Sequence, residues 1–418
     1  MKTPAPARQR HLYVEGSKGV RPSVPTDLIQ LERLAARAMG DQGYSYVAGG
    51  AGLETTMAAN RRAFEQFSIL PRMLRDVSVR DTRRKVFGGT IPVPFFLAPV
   101  GVLELAHRQA DRAAARAAAS LGVPMIFSNQ ASTPMEECAA LMGDCPRWFQ
   151  LYPSQSDELI RSLVTRAENC GCSAIVVTLD TTMLGWRVRD LDRASLPFLQ
   201  GRGIAQYTSD PVFQALVEAS EVEPPAGPIT LSSLALLVEQ SHRLPGGLLD
   251  NLRSRRALRS VRKFIEIYTR ASLNWEDLAM VREMTRLPLV LKGLLAAEDA
   301  QKALEAGVDG IYVSNHGGRQ VDGAVASLTA LAEVAKVVEG RVPIFFDSGI
   351  RGGADIFKAL ALGATAVGLG RPFVYALAVA GEAGVRELLE NFQADFELTM
   401  ALAGCANLDE IKASTLAG

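Results

Sequence analysis

Eight short apolar segments, separated by longer stretches with helical patterns, constrain the fold of this 418-residue chain most strongly. Such an alternation is typical of βα units that build a parallel sheet. Eight units favour a closed (β/α)8 TIM barrel, although an open doubly wound sheet can produce a similar alternation. The predicted strands are PFFLAP ending at Pro99, PMIFS at Ser128, RWFQLY at Tyr152, AIVVTLD at Asp180, LVLK at Lys292, GIYVS at Ser314, PIFFD at Asp347 and TAVGLG at Gly370.

Residues 1–85 precede the first predicted strand, and we interpret them as an N-terminal cap. The segment LIQLERLAARAMG (residues 28–40) has the apolar spacing of a helix and is followed by the glycine-rich YSYVAGGAG (residues 44–52). Residues 86–418 are then predicted to form the barrel itself.

A long insertion, residues about 188–274, separates the fourth and fifth predicted strands. A βα loop normally needs only a few residues, so a segment of this length is usually a lid, an oligomer contact or disordered. Within it, EVEPPAGP (residues 221–228) predicts a flexible stretch and LSSLALLVEQ (residues 231–240) a short helix. RSRRALRSVRKF (residues 253–264) predicts a basic helix whose charges face solvent.

The charge balance argues for a small-molecule partner. Lys plus Arg and Asp plus Glu both total 45, so no overall field favours nucleic acid or an anionic membrane. No stretch approaches the roughly 18 apolar residues of a spanning helix, and neither a signal peptide nor a peroxisomal terminal tripeptide is recognisable. We therefore expect a soluble, cytoplasmic protein.

The five cysteines lack the spacing of a disulfide framework, which suits a reducing compartment. Cys170 and Cys172 resemble half of a metal site, but no second pair or nearby histidine completes it. We predict neither a structural disulfide nor a bound metal.

Polar residues that can take part in catalysis or binding follow the predicted strands, at the barrel face that carries active sites. Tyr152, Lys292, His316 and Asp347 are candidates by position. His316 lies in SNHGGRQ (residues 314–320), where an imidazole can accept a hydroxyl proton and Arg319 can hold a carboxylate with two hydrogen bonds.

Two glycine-rich loops follow the seventh and eighth predicted strands, DSGIRGG (residues 347–353) and GLGRP (residues 368–372). Each carries an arginine at the place where barrels bind phosphate with loop amides and a helix N-terminus. Lys292 ends a run too apolar for a solvated lysine, so its ammonium is expected to meet an anion or a buried acidic partner.

From about residue 40 to its end, except in the insertion, the chain resembles the FMN-dependent 2-hydroxy-acid oxidase and dehydrogenase family. SNHGGRQ, DSGIRGGADIFKALALGA and GRP carry the resemblance with high specificity. It implies a TIM barrel that binds FMN, oxidises a 2-hydroxy acid and assembles as a tetramer or octamer. Within the family, the segments GVRPSVP, SYVAGG, LPRML and residues 185–214 are most similar to the lactate 2-monooxygenase subgroup.

The resemblance also implies roles for individual residues. Arg187 and Arg319 would clamp the substrate carboxylate, Tyr46 and Tyr152 would bond substrate oxygens, and Asp180 would support His316 as the base. Gln130 is at a position that shapes the pocket for the substrate side chain. FMN would contact Pro99, Val100, Gly101, Ser128, Gln150, Thr178, Lys292, Ser314, Asp347, Gly349, Arg351, Gly370 and Arg371.

The predicted reaction is oxidation of a small, lactate-like L-2-hydroxy acid to the 2-oxo acid, with dioxygen as the electron acceptor. Retention of the product would add oxidative decarboxylation, and early release would make the enzyme a simple oxidase that gives hydrogen peroxide. The alternatives are a dehydrogenase with another acceptor, a biosynthetic oxidase of a larger hydroxy acid, and a flavin-binding protein without turnover. Hydride and carbanion routes are equally compatible with these residues.

Overall fold

The computed structural model describes residues 5–220 and 230–417. Before the barrel, helix α2 begins at the predicted Leu28, where Asp27 caps it by accepting the amide of Ile29. The helix is broken at Gly40, because this residue adopts a positive φ of 68°, and then continues to Ala48. The elements of this region are α1 (Ala5–Ser17), α2 (Leu28–Ala48), α3 (Thr55–Glu65), β1 (Ser68–Ile69), β2 (Arg84–Val86) and β3 (Gly89–Ile91).

Eight parallel strands close into a barrel, which confirms the (β/α)8 prediction and excludes the open sheet. The closing pair joins the last strand to the first, with Leu369 opposite Leu97. Seven strands lie within their predicted apolar runs, and the strand predicted to end at Lys292 continues to Leu294. The strands are β4 (Phe95–Leu97), β5 (Met125–Phe127), β6 (Arg147–Leu151), β7 (Ile175–Thr178), β8 (Leu289–Leu294), β9 (Gly310–Val313), β10 (Ile344–Phe346) and β11 (Ala366–Leu369).

Aromatic side chains fill the amino-terminal half of the barrel. Phe96, Trp148, Tyr312 and Phe345 are fully or almost fully buried there, and the rings of Trp148 and Phe345 lie 4.9 Å apart. The β2–β3 hairpin carries Phe87 against this cluster and closes that end. The hairpin spans the predicted boundary at residues 85 and 86, and the division into cap and barrel stays a prediction. Because this end is filled, the opposite end is available for a site.

Helices surround the barrel and follow its strands. The first three connections contain α4 (Ala110–Leu121), α5 (Met135–Met142) and α6 (Asp157–Asn169), with a 3-10 turn at Leu103–Leu105. The insertion contains α7 (Val188–Leu191), α8 (Ala205–Thr208), α9 (Pro211–Ala219), α10 (Leu231–Arg243), α11 (Leu248–Ser254) and α12 (Arg256–Ile267), with a 3-10 turn at Pro197–Gln200.

The insertion corrects one detail of the sequence interpretation. The predicted basic helix over residues 253–264 is two helices, because Arg255 adopts a left-handed conformation with φ of 52° that ends α11 and begins α12. The short helix predicted at residues 231–240 is present as α10. The predicted flexible stretch, residues 221–228, lies outside the described residues. Phe264 of α12 is buried against Tyr207 and Phe198, which packs the insertion on itself. The Tyr207 hydroxyl accepts a hydrogen bond from Asn129, just after β5, at 2.6 Å, which ties the insertion to the barrel.

The second half of the barrel ends in a long helix that packs against α2 and α4. None of the helices described is long and apolar enough to cross a membrane. All five cysteines have free thiols. The remaining elements are α13 (Trp275–Met284), α14 (Ala297–Glu305), α15 (Ser327–Val338), α16 (Gly353–Ala361), α17 (Arg371–Leu402), 3-10 turns at Leu408–Glu410 and Ala413–Thr415, and β12 (Leu416–Ala417), which pairs with β1.

Candidate active site

A cavity at the carboxyl ends of the barrel strands contains about 1080 Å³ of empty space, including its open mouth. Most of the residues predicted for the site line it. They are Tyr46, Pro99, Val100, Gly101, Ser128, Gln130, Tyr152, Arg187, Lys292, His316, Arg319, Asp347, Gly349, Arg351, Gly370 and Arg371.

The four other predicted residues, Gln150, Thr178, Asp180 and Ser314, do not line the cavity. Gln150 accepts a hydrogen bond from Ser128 at 3.1 Å and donates one to Thr178 at 3.0 Å, so a buried polar chain crosses three neighbouring strands. Asp180 and Ser314 bond His316 and Lys292 respectively, and both therefore act through cavity residues.

His316 and Asp180 form the central polar pair of the site. The His316 Nδ1 lies 2.8 Å from the Asp180 Oδ1, and Thr181 donates its hydroxyl to the same carboxylate oxygen at 3.0 Å. Burial alone would raise the pKa of Asp180, but the charges of His316 and Lys292 outweigh it and hold this pKa below its usual range. An ionised Asp180 requires a proton on Nδ1, which leaves the Nε2 lone pair of His316 free to accept a proton.

Lys292 is a buried cation between two carboxylates. Its Nζ lies 3.0 Å from the Ser314 Oγ and 3.8 Å from both the Asp180 Oδ2 and the Asp347 Oδ2. Ser314 in turn donates to the Asp347 Oδ1 at 2.5 Å. The side chain is therefore fixed with a positive charge at the cavity wall, where it can stabilise negative charge on a bound group.

We predict that the loss of activity at low pH is set by protonation of His316. Burial, the largest influence, lowers the pKa of its imidazole below the usual value of about 6.5, although Asp180 opposes this shift. The neutral, proton-accepting form therefore persists at pH 7. We expect kcat/KM to fall about tenfold per pH unit only below an inflection under pH ~6.5. A pH profile of kcat/KM checks this, and an inflection above that value would contradict the assignment.

Arg187 and Arg319 place two guanidinium groups at the cavity, and Asp190 attracts both of them at longer range. Neither forms an ion pair with a carboxylate in the described part of the chain. Arg319 donates to the carbonyl oxygens of Tyr46 and Gly49 and lies 5.0 Å from the centre of the Tyr46 ring. Burial and the charge of Arg187 lower the pKa of Arg319 to about 9. Because the two buried guanidinium groups repel each other and neither contacts a carboxylate, the pair is suited to hold a carboxylate.

A second cationic region lies where β10 and β11 lead into α16 and α17. Burial lowers the pKa of both Arg351 and Arg371, and the charge of Arg371 lowers that of Arg351 further. Arg371 donates to the carbonyl oxygens of Val47, Gly317 and Gly49, which fixes its guanidinium. Two arginines at the N-termini of two helices form a suitable site for a phosphate.

Two backbone positions keep the cavity open. A Cβ added at Gly101 would lie 2.8 Å from the Cβ of Gln130, and one added at Gly368 would lie 2.3 Å from the Tyr312 hydroxyl. Both positions line the cavity. Their lack of a side chain therefore leaves the carboxyl ends of β4 and β11 accessible to a flat ligand.

The loop of His316 is held by a buried pair of asparagines. Asn60 of α3 and Asn315 donate to each other at 2.9 and 2.8 Å, and Asn315 also accepts the amide of Gly318. His316 adopts a left-handed conformation with φ of 59°. Such strain is retained only where surrounding contacts fix it, and the asparagine pair supplies them from the N-terminal region.

Sequence reasoning missed several residues of the cavity wall. Phe198 and Tyr268 come from the insertion, and Leu184 and Thr181 from the segment after β7. Tyr268 is buried and stacks on Phe264 at 4.7 Å. The aromatic residues at the end of the insertion were the available signal, but their spacing does not indicate which barrel end they reach.

A model of the family described as FMN-dependent dehydrogenase matches residues 35–418. The chain belongs to this family. It is 38% identical over 392 residues to L-lactate oxidase of Lysinibacillus sphaericus (strain C3-41), covering 94% of this chain and 92% of the relative. It is 39% identical over 381 residues to 4-hydroxymandelate oxidase of Amycolatopsis orientalis, covering 91% and 95%. A crystal structure of mandelate oxidase with (S)-4-hydroxymandelic acid has a TM-score of 0.77 and 35% identity, covering 94% and 98%.

Membership of the FMN-dependent dehydrogenase family makes this chain an FMN-dependent oxidoreductase of the 2-hydroxy-acid oxidase type. Its cavity residues fit that cofactor. Arg351 and Arg371 suit the phosphate, and Ser128, which is hydrogen-bonded to the buried Gln150–Thr178 pair, offers a polar group at the cavity wall for a flat ring. The family prediction made from the sequence is confirmed.

Proposed function

We propose that this enzyme oxidises a small, lactate-like L-2-hydroxy acid to the 2-oxo acid with dioxygen as the acceptor. The observation that carries the proposal is the juxtaposition in one cavity of His316, supported by Asp180, with Arg187 and Arg319, neither of which contacts a carboxylate. A base and a carboxylate receptor are the two groups that a 2-hydroxy carboxylate requires. Similarity to L-lactate oxidase supports the choice of a small acid.

In this mechanism Arg187 and Arg319 hold the substrate carboxylate, and the buried Tyr152 donates its phenolic hydrogen to a substrate oxygen. Burial raises the pKa of Tyr152, which keeps that hydrogen in place. His316 accepts the hydroxyl proton at Nε2 in a hydride route, or the Cα proton in a carbanion route. Asp180 stabilises the resulting imidazolium. Arg351 and Arg371 would hold FMN by its phosphate, and the bound cofactor would supply the two-electron redox chemistry that links the substrate carbon to dioxygen.

The fate of the product follows from the lifetime of the closed site. The insertion contributes Phe198 and Tyr268 to the wall, which supports a role for this segment in retaining the 2-oxo acid. If the 2-oxo acid is retained, it would react with hydrogen peroxide to give the carboxylic acid shortened by one carbon, carbon dioxide and water. This is the outcome predicted for a lactate 2-monooxygenase-like enzyme. Early release would give the 2-oxo acid and hydrogen peroxide.

Product analysis distinguishes these outcomes. We expect oxygen-saturated enzyme with L-lactate to give acetate and carbon dioxide with little free peroxide if the product is retained. Pyruvate with stoichiometric peroxide identifies the simple oxidase. Rapid flavin reduction followed by slow reaction with oxygen would contradict the proposed acceptor and favour a dehydrogenase.

A larger hydroxy acid is the second candidate substrate, and the aromatic walls formed by Phe198 and Tyr268 favour it. The relatives that act on mandelates support it as well. Comparing kcat/KM for glycolate, L-lactate and (S)-mandelate separates the two candidates, because a pocket closed to a phenyl ring rejects mandelate. We further propose a cytoplasmic location and a homo-oligomer of four or eight chains, the latter testable by light scattering.

A further inference from the structure

Gln130 has a side-chain amide without a partner at the wall of the cavity. The residue is 6% exposed, its Oε1 is buried, and neither amide atom is hydrogen-bonded within the described residues. Eleven other residues of the described chain have a buried, unbonded polar side-chain atom, but none of these eleven lines the cavity. Leaving a buried amide unsatisfied is unfavourable, so this group is expected to bond a ligand.

The backbone of Gln130 is fixed, so the unbonded amide is not a consequence of an unstructured loop. Its amide nitrogen donates to the Ser128 Oγ at 3.1 Å, and its carbonyl oxygen accepts the Val102 amide at 2.9 Å. Gly101 makes room beside it, since a Cβ there would meet the Gln130 Cβ at 2.8 Å. The side chain therefore occupies a defined place beside the strand end.

The chemistry of the amide limits what it can recognise. A carboxamide is neutral and offers both donors and an acceptor, which a hydroxyl or another carboxamide satisfies in both directions. Phe198 and Tyr268 of the insertion line the same cavity and offer aromatic surface to the remaining carbon atoms of a ligand. The surroundings thus suit a side chain that combines carbon atoms with one neutral polar group.

We propose that the substrate is a 2-hydroxy acid whose side chain carries a neutral hydrogen-bonding group, such as the second hydroxyl of glycerate, and that Gln130 binds this group. The proposal rests on the proposed function and specifies its substrate class. It predicts a preference for glycerate over lactate, which differ by that hydroxyl alone.

Binding of unreactive acids tests this without turnover. Propanoate and 3-hydroxypropanoate lack the 2-hydroxyl and differ from each other only in the side-chain hydroxyl. Calorimetric titration of the FMN-loaded enzyme is expected to give a roughly tenfold or larger preference for 3-hydroxypropanoate. Gln130→Leu, which removes the amide and keeps an apolar side chain at this position, should abolish that preference by weakening the binding of 3-hydroxypropanoate. Equal binding of both acids by the parent enzyme would mean that water satisfies Gln130 and would overturn the proposal.

Turnover then separates this inference from the proposed function. If the enzyme oxidises both acids and Gln130→Leu lowers the kcat/KM ratio of glycerate to lactate, the inference and the proposed function are both supported. If both acids are oxidised but the variant leaves this kcat/KM ratio unchanged, only the inference is overturned. A preserved preference in binding without oxidation of any 2-hydroxy acid overturns the proposed function. If Gln130→Leu instead weakens FMN retention and leaves the preference intact, the amide serves the cofactor and the inference is wrong.

Discussion

Replacing His316 with glutamine is expected to slow anaerobic reduction of the bound flavin by roughly 10²- to 10⁴-fold, the range for loss of a general base. Glutamine is similar in size and can still donate to Asp180, but it has no atom that accepts a proton near neutral pH. The phosphate-binding arginines are untouched, so the protein should stay yellow. Stopped-flow absorbance of the flavin measures the rate.

His242→Gln is the matched control for this change, because His242 is exposed in the last turn of α10 and does not line the cavity. It should reduce at the parent rate. If His316→Gln also reduced at the parent rate with FMN bound, His316 would not be the base.

Replacing Arg187 with methionine is expected to lower kcat/KM for a 2-hydroxy acid by roughly 10²- to 10³-fold, mainly through KM. A bidentate, charge-assisted contact to the carboxylate contributes on the order of 3–4 kcal/mol, and methionine cannot make it. The change also removes the positive charge that lowers the pKa of Arg319, so the protein should be no less stable. Steady-state kinetics and thermal unfolding measure the two effects.

Arg193→Met serves as the control, since Arg193 is exposed six residues further along and donates to the carbonyl of Arg189. This control variant should have the kcat and the KM of the parent enzyme. A normal KM in Arg187→Met would remove Arg187 from the carboxylate site, whereas a large loss of thermal stability would indicate a structural role instead.

The barrel could be predicted from sequence because each buried parallel strand is a short apolar run and the chemistry follows its end. His316, Lys292 and Asp347 were identified in this way, and the structure brings all three to one cavity. Helical spacing likewise predicted the start of α2 at Leu28, but it did not predict that the chain continues past Gly40 to place Tyr46 beneath Arg319.

What could not be predicted depends on tertiary packing. The break at Arg255 is a single left-handed residue within a basic run that otherwise has good helical spacing. Phe198 and Tyr268 are brought together by packing within the insertion, where Phe264 of α12 contacts both the nearby Tyr268 and Phe198 from much earlier in the chain. The absence of partners at Gln130 is a property of three-dimensional surroundings, and the residue type alone does not reveal it.

The central claim is that His316 and the arginine pair make this cavity a site for 2-hydroxy-acid oxidation. The most direct test mixes the FMN-loaded enzyme anaerobically with L-lactate, glycerate, glycolate and (S)-mandelate and follows the flavin absorbance. We predict that at least one of these acids bleaches the flavin and yields one equivalent of the corresponding 2-oxo acid. A flavin that stays oxidised with every acid, in protein that retains stoichiometric FMN, would contradict this account.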